Sequence, residues 1–430
     1  RALERTAPAA LSTQLSQPLA VLTAAGKFGA LQLAVLLLAL GLATAAYRAL
    51  TRSVDSNAGI TAALGAVAVL ACAWLVPVAF SSDVYAYAVY GEAALRGLDP
   101  FARLSLSGGS PLIDAARVQW GASLPACVYG WGFVGLSALS VGLSAPLGAA
   151  GQIAALRALA TLAVLACGAL AFPAFPGDRI ARTRAAVFIG CNPVVLWCAA
   201  EGHNDAVAVG IALLGCALAV RRPVLGAAVA GIAGAFKFPA LLSAVPAAGR
   251  RRTAWAGAAL GGIVAVAATW PVVAHFGGGS NAHGVYYPQV SLQGLVFSML
   301  SGMGAAAGTA GAAAAVVAAV AATLLATSAV AQLRRAEREG WVRLAVAAWL
   351  LIPNPYPWYG LWLVAIAAVA PSSRPAGVAV WLPAAALLRY YPDAVAVPSA
   401  AAGVLLGLAA ILPYALLVPA RRFGIINGPT

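Results

Sequence analysis

Residues 192–220 read NPVVLWCAAEGHNDAVAVGIALLGCALAV, which is two apolar stretches joined by a short polar segment. The stretches, at about 185–200 and 204–220, approach the roughly 20 apolar residues that a membrane span requires. The joining segment carries Glu201, His203, Asn204 and Asp205. An Asn or Asp could cap the second helix, which explains one of these four side chains. The other three are costly beside a bilayer, and their presence indicates a functional site.

The composition extends this reading to the whole chain. Of 430 residues, 62% are hydrophobic and only 9% are charged, whereas soluble domains carry roughly 25% charged residues. The sequence therefore predicts an all-α, polytopic membrane protein forming a single transmembrane domain over residues 1–430. Predicted spans lie at about 28–50, 57–80, 151–174, 185–200, 204–220, 254–275, 305–331 and 395–418, and shorter passes at about 341–353, 358–373 and 376–390.

The positions of the charges predict the sidedness of the chain. The net charge is +14, but the arginines cluster between apolar stretches, as the positive-inside rule expects of cytoplasmic loops, so nucleic acid is not an expected partner. The C-terminus is then inside and the N-terminus outside. Seven of the twelve acidic residues fall in the outward loops, which indicates that any chemistry occurs at the outer face. The expected outward segments are 81–150, 201–204, 276–304, 354–357 and 390–394.

Two apolar segments do not fit this scheme as ordinary spans. The stretch 131–147 would reverse the parity, so we interpret it as a helix in the outer interface, within the loop 81–150. The stretch 223–249 lies between two arginine clusters and is too short for two full spans. We expect a hairpin of two short helices with Lys237 and Pro239 at its apex, since a charge at depth is tolerated where it lines a cavity. The total is about 13 hydrophobic segments.

The segment SSDVYAYAVYGEAALRGLDPF, residues 81–101, gives the strongest local signal of chemistry. Asp83 directly follows a predicted span, and apolar surroundings can tune a carboxylate for general-base work. The alternative is helix capping, because Ser81, Ser82 and Asp83 are all good N-caps. Spacing alone leaves both readings open.

Two cations are candidates for binding an anion. Lys237 suits a phosphate as a point charge, although it could instead extend to the membrane interface. Arg157, about two turns into its span, is the second candidate, and it could equally pair with Asp205. The six scattered cysteines contain no CxxC pair, so we expect neither a disulfide framework nor a metal site.

Aromatic residues recur in the outer loops. They lie in ACVYGWG (126–132), NAHGVYYPQVSLQG (281–294), PNPYPWYG (353–360) and RYYPD (389–393). Trp and Tyr at membrane boundaries are commonly interfacial anchors. Beside amides and carboxylates, their ring faces also suit a sugar.

Taken together, SSDVYAYAVYGEAALRGLDPF, VYGWG, NPVVLWCAAEGHNDA, AGAFKFPALL and NPYPWYGLW resemble glycosyltransferases of the GT-C fold, in particular the polyprenol-phosphomannose-dependent α-1,6-mannosyltransferases. The resemblance covers about 57–420. It implies a plasma-membrane enzyme with interfacial helices in the first outer loop and its active site on the outer face. It also implies a polyprenyl-phosphate-linked sugar donor, a glycan or glycolipid acceptor, and no cofactor or obligatory metal.

The resemblance also implies roles for individual residues. Asp83 would be the general base of an inverting transfer, and Lys237 and Arg157 would hold the lipid-linked phosphate. Trp131 departs from the family pattern, which has proline after the glycine of the first-loop YG. We expect substrate contacts from Tyr87, Tyr129, Glu201, His203, Asn204, Asp205, His283, Tyr287, Gln293, Tyr356 and Trp358.

Two alternatives remain at this point. A membrane transporter or lipid flippase would need charged residues through the bilayer centre and preferably an internal repeat, and neither is visible. The same fold could also use another lipid-phosphate sugar, such as arabinose. The motifs do not identify the sugar, because sugar choice depends on hydrogen bonds to individual hydroxyls.

Overall fold

The computed structural model describes residues 29–52, 56–75, 78, 80–277, 290–390 and 399–417. The described residues up to Gly277 form one compact unit, and those from Val290 form a second. Almost all regular structure is helical, in agreement with the predicted all-α fold; among the described residues the strands are a two-residue pair, β1 (Leu104–Ser105) and β2 (Ser123–Leu124).

The first unit contains twelve α-helices among its described residues. In chain order they are α1 (Gly29–Arg52), α2 (Ser56–Leu75), α3 (Asp83–Leu95), α4 (Pro111–Trp120), α5 (Trp131–Ser144), α6 (Gly148–Ala174), α7 (Arg179–Gly190), α8 (Pro193–Ala200), α9 (Asp205–Ala219), α10 (Pro223–Ile232), α11 (Ala244–Ala248) and α12 (Arg252–Gly277). The second unit contains α13 (Leu292–Gly302), α14 (Ala307–Arg334), α15 (Glu339–Leu350), α16 (Gly360–Ala367), α17 (Arg374–Ala386) and α18 (Ser399–Ile411).

Several of these helices have the length and composition of membrane spans, which supports the predicted membrane protein. Five described stretches qualify, and a sixth does if the bent pair α7 and α8 counts as one span. The predicted total of about 13 helices is not confirmed, because several predicted passes are helices of only 8 to 15 residues. The five qualifying stretches are Leu33–Arg52, Ala58–Leu75, Trp131–Ala174, Arg252–Ala274 and Ala307–Arg334.

The predicted span at about 185–200 falls on two helices with a bend between them. The first helix begins earlier, at Arg179, and the chain bends by 48° between α7 and α8. Pro193 causes this break, because proline lacks an amide donor and restricts the residue before it to an extended conformation. Asn192 adopts that conformation, with φ −68° and ψ 120°, and its Oδ1 accepts the amide of Val195 at 3.1 Å.

The predicted hairpin at 223–249 is present. The chain runs through α10, turns through two 3-10 segments (Ala233–Ala235 and Phe238–Ser243) and returns through α11. Lys237 lies between the 3-10 segments, at the apex. The Ser243 hydroxyl donates to the Ala230 carbonyl at 2.9 Å and joins the two arms.

Helix α5 is separate from the long helix α6 that follows it. A 3-10 turn at Ala145–Leu147 and Gly148, at φ 70°, separate the two. Helix α5 packs closely against α3: a Cβ on Gly91 would lie 2.7 Å from the Ser137 backbone, and the Ser137 hydroxyl donates to the Tyr87 carbonyl at 2.6 Å. Its position in the membrane interface stays a prediction.

Small residues allow helices α9, α10 and α12 to pack closely. A Cβ on Gly215 of α9 would lie 2.7 Å from the Cα of Ala230 in α10. On the other side of α10, Gly231 faces Gly261 of α12, where an added Cβ would meet backbone at 3.0 Å. Such contacts between small residues are typical of helix interfaces in membranes. They hold the hairpin between α9 and α12.

We expect Gly215→Ala to destabilise the protein by about 1–3 kcal/mol, because the added methyl group overpacks the α9–α10 contact. Gly65→Ala is the matched control, since nothing lies within 4 Å of a Cβ at Gly65 in α2. The control should leave the Tm in detergent unchanged or raise it slightly, as alanine favours helix by about 1 kcal/mol. Equal Tm values for the two variants would contradict this packing.

Candidate functional site

Asp83 is the first residue of α3, and its carboxylate is directed toward other side chains. The N-cap is Ser82, whose hydroxyl makes no capping bond, while its carbonyl accepts the Trp120 indole N–H at 3.1 Å. The Ser81 hydroxyl accepts the amide of Asp83 at 3.1 Å. These bonds fix the backbone at the helix start, and the N-cap position belongs to Ser82 and not to Asp83.

The carboxylate of Asp83 lies near two of the other predicted site residues, and a third lies beside one of these. Its Oδ2 lies 3.5 Å from the Tyr87 hydroxyl and 3.8 Å from Nδ1 of His203. The Tyr87 and Tyr129 hydroxyls are 3.1 Å apart, and both rings pack edge-on against Phe133. The structure therefore brings Asp83, Tyr87, Tyr129 and His203 together.

The surroundings of the Asp83 carboxylate raise its pKa. Burial raises the pKa of Asp83 to about 6, against the lowering effects of the Ser81 hydrogen bond and the Lys237 charge. The side chain still has 25% exposure, so a substrate hydroxyl can reach it. Burial, and then Lys237, lower the pKa of His203 well below its usual value, so the imidazole is neutral at pH 7. Such a carboxylate is poised to accept a proton near neutral pH.

Lys237 forms an ion pair with Asp205. Its Nζ lies 2.6 Å from Asp205 Oδ1, and the two side chains are 14% and 2% exposed. The ammonium also lies 5.8 Å from the centre of the Tyr129 ring. The ammonium is thus held inside the unit by a buried carboxylate. Arg157, which the sequence analysis offered as a partner of Asp205, makes different contacts.

A glycine contact brings the Lys237 hairpin close to the Tyr129 loop. A Cβ on Gly130 would lie 2.8 Å from Thr269 Cγ2 in α12 and closer still to the carbonyl oxygen of Ala235 in the hairpin turn. Only glycine fits here, which explains the glycine of VYGWG. Trp131 is 45% exposed and packs edge-on against Phe101, with ring centres 4.9 Å apart.

Arg157 makes contacts that are typical of a structural arginine. Its Nε donates to the Ala200 carbonyl at 2.6 Å, and its Nη2 donates to the Ala73 carbonyl at 2.8 Å. The guanidinium lies over the Trp74 ring at 4.6 Å, and the residue is 3% exposed. Arg157 thus connects the end of α2 to the end of α8. These contacts do not favour the predicted role of Arg157 as a phosphate ligand.

Glu201 is also held by the protein. Its Oε1 accepts the Trp197 indole N–H at 2.9 Å, and its two oxygens lie 3.1 and 3.2 Å from the Phe80 amide. The residue is 2% exposed. Sequence analysis did not identify Trp197, although its spacing of four residues from Glu201 on a helix could have indicated the contact.

Asn204 is different from its neighbours in the polar segment. It is the N-cap of α9, yet its side chain makes no capping bond. The residue is 3% exposed, and within the described parts of the chain neither its Oδ1 nor its Nδ2 has a hydrogen-bond partner. Buried amides are ordinarily satisfied. Asn204 therefore has both a donor and an acceptor available for a substrate.

The other predicted substrate residues belong to the second unit or lie outside the described residues. Gln293 donates to the carbonyls of Leu350 and Leu351, a structural role. Tyr356 and Trp358 stack with ring centres 4.5 Å apart, and Arg389, which sequence analysis missed, lies 3.8 Å over Tyr356. His283 and Tyr287 lie outside the described residues. No cluster of three or more His, Cys, Asp or Glu residues able to hold a metal occurs in the described part of the chain.

Comparison with known proteins identifies a family. The sequence model of the alpha-(1->6)-mannopyranosyltransferase N-terminal domain (MptA_B family) matches residues 3–253, more than half of the chain. The match includes Asp83, Tyr129, His203, Asn204 and Lys237. No curated protein and no solved structure matched the chain.

We expect Lys237→Met to destabilise the protein by about 3 kcal/mol, because it leaves the Asp205 carboxylate buried without its cation. The double variant Lys237→Met/Asp205→Asn should recover part of that loss. Denaturation in detergent measures both. Asp114→Asn is the control, since Asp114 and Arg117 form an exposed pair worth at most about 1 kcal/mol. A Lys237→Met variant as stable as this control would contradict the buried ion pair.

Proposed function

The chain belongs to the alpha-(1->6)-mannopyranosyltransferase family, and on that premise we propose that it transfers mannose from a polyprenyl-phosphate donor to a hydroxyl of a glycan or glycolipid acceptor. The enzyme is a membrane protein, as its long apolar helices indicate. We place the reaction at the outer face of the plasma membrane, because the arginine clusters lie in the loops opposite to those that carry the site.

In the proposed reaction Asp83 acts as general base. The acceptor hydroxyl gives its proton to Asp83 while its oxygen forms a bond to the anomeric carbon of mannose. The bond from that carbon to the phosphate oxygen breaks, and polyprenyl phosphate leaves with the bonding electrons. A single displacement of this kind inverts the anomeric centre. The proton on Asp83 then passes to solvent.

The single observation that carries this proposal is the difference between the three carboxylates of the site. Asp205 is paired with Lys237 at 2.6 Å, and Glu201 accepts N–H groups from Trp197 and Phe80. Asp83 has longer contacts, of 3.5 and 3.8 Å, and 25% exposure. One accessible carboxylate suits a single displacement. A double displacement would need a second carboxylate as nucleophile, about 5 Å away in glycosidases that retain configuration.

Lys237 and Asn204 are the proposed substrate ligands beside this base. Lys237 supplies the positive charge for the phosphate of the donor, as a point charge that Asp205 holds in place. Asn204 offers an amide donor and acceptor to sugar hydroxyls. Tyr129 lies beside the ammonium, and its ring can pack against a sugar. Arg157 holds two helix ends and is left out of the phosphate site.

The donor is tested directly in membranes that contain the protein. Radiolabelled polyprenyl-phosphate mannose, arabinose and glucose are each offered with an α-1,6-linked mannose oligosaccharide as acceptor. We expect transfer from the mannose donor only. A clear preference for another sugar, or mannose transfer that is no faster than in membranes lacking the protein, would contradict the proposed function.

In the same assay we expect Asp83→Asn to lower kcat by about 100- to 10,000-fold, the usual contribution of a general base. The KM for the donor should change little, because the amide keeps the size of the side chain. Asp114→Asn, an exposed acidic residue of the same loop, is the control and should retain full activity. Full transfer by Asp83→Asn would contradict the assignment of the base.

The pH dependence follows from the raised pKa of Asp83. Only the ionised carboxylate accepts a proton, so kcat/KM should rise with pH, with a midpoint near 6, and level off above about pH 7. Initial rates between pH 4.5 and 8 measure this profile. A carboxylate in its ordinary range would give a midpoint near 4, and that result would show that burial does not shift the base.

A further inference from the structure

We infer that Glu201 is a positioning residue that sets the distance between Asp83 and His203, and that it does not contact substrate. The inference rests on the proposed function, since it assumes that Asp83 accepts the proton of the acceptor. It assigns Glu201 a role different from the substrate contact that the sequence predicted. Asp83 and His203 lie on two segments that contact each other.

These segments, residues 80–84 and 201–203, contact each other at three points. Glu201 accepts the amide of Phe80, Gly202 packs against Val84, and His203 faces Asp83. The Gly202 contact tolerates no side chain: Gly202 has φ 97°, and a Cβ there would lie 2.6 Å from Val84 Cγ2. The three contacts together fix how the two segments lie against each other.

Glu201 makes the one of these three contacts that involves a carboxylate and a backbone amide. Its Oε1 receives two N–H groups, from Phe80 and from the Trp197 indole, and Oε2 lies 3.2 Å from the Phe80 amide. Phe80 lies three residues before Asp83. Because carboxylate bonds to N–H groups are stronger than neutral ones, Glu201 holds the backbone that leads into the base.

Arg157 makes a second connection, next to the same two segments. Arg157 donates to the carbonyl of Ala73, before the first segment, and to that of Ala200, next to Glu201. The opposite charges of Arg157 and Glu201 also interact. The two side chains therefore hold the ends of α2 and α8 together, and both are buried, at 3% and 2% exposure.

Because two N–H groups donate to Oε1 of Glu201, its replacement by glutamine or by alanine tests the positioning role. Glutamine keeps one oxygen that can accept both N–H groups, whereas alanine removes both acceptors. A positioning role predicts that Glu201→Ala lowers kcat by about 100-fold, the cost of misplacing reacting groups by about 1 Å. It predicts that Glu201→Gln keeps kcat within about fivefold. KM for donor and acceptor should change by less than about twofold in both variants.

Two further readouts separate positioning from general destabilisation. The midpoint of the kcat/KM pH profile should move to lower pH in Glu201→Ala, because a loosened segment hydrates Asp83, and should stay near 6 in Glu201→Gln. Trp197→Phe should lower kcat a few-fold alone and cause no further loss in the Glu201→Ala background, as expected of residues that act through one contact.

The control is Glu92→Ala, which removes another buried and hydrogen-bonded glutamate from the same unit. It should lower the Tm in detergent and leave kcat and the pH midpoint unchanged. All variants are purified as the full chain and assayed with polyprenyl-phosphate mannose and an α-1,6-linked mannose oligosaccharide. The fraction of folded protein is measured by size exclusion and corrects each kcat.

The outcomes decide the inference separately from the proposed function. If Glu201→Gln is as inactive as Glu201→Ala, or if KM rises severalfold in either, Glu201 acts in chemistry or binding and the inference is overturned. Wild-type kcat in Glu201→Ala also overturns it. Full activity in Asp83→Asn overturns the proposed base instead, whatever the Glu201 variants show.

Discussion

The buried guanidinium of Arg157 is the interaction on which the arrangement of the site depends. It lies within a long apolar helix, where a charge is stable only if its donors are satisfied. Carbonyls at the ends of α2 and α8 satisfy two of them, and Trp74 covers its face. Helix ends have carbonyls without partners inside the helix. One arginine thus satisfies two helix ends and fixes their separation, and the segments that follow both ends carry Asp83 and His203.

The candidate site contains three carboxylates in three environments. Each has the same functional group, and the neighbours decide what it can do. Asp205 is held by an ammonium, Glu201 by two N–H groups, and Asp83 by weaker contacts at a partly open surface. Burial without a close cation raises the pKa of Asp83, which makes it the carboxylate suited to accept a proton near neutral pH. The site therefore needs no unusual residue type, because the three carboxylates differ in the groups that contact them.

Much of this organisation was predictable from the sequence, because it depends on composition and short-range pattern. Low charge content predicts the membrane protein, and the short stretch between two arginine clusters predicts the hairpin at 223–249. Asp83 and His203 were each identified by their places at span ends, whereas their contact with each other was not predicted. Pro193 could have indicated the bend between α7 and α8, but an apolar run of 16 residues, 185–200, masked it. Hydropathy averages over such a run and does not register one missing amide donor.

The roles of Arg157, Glu201 and Lys237 were not predictable in the same way. Sequence position gives the depth of a side chain in the membrane, and it does not give the direction in which the side chain points. Arg157 donates to two backbone carbonyls at helix ends, whereas Lys237 pairs with the carboxylate of Asp205. A charge in a membrane protein therefore has two kinds of explanation, a ligand or an unsatisfied backbone group. Only the contacts of the side chain distinguish between them, and for Arg157 they favour the backbone.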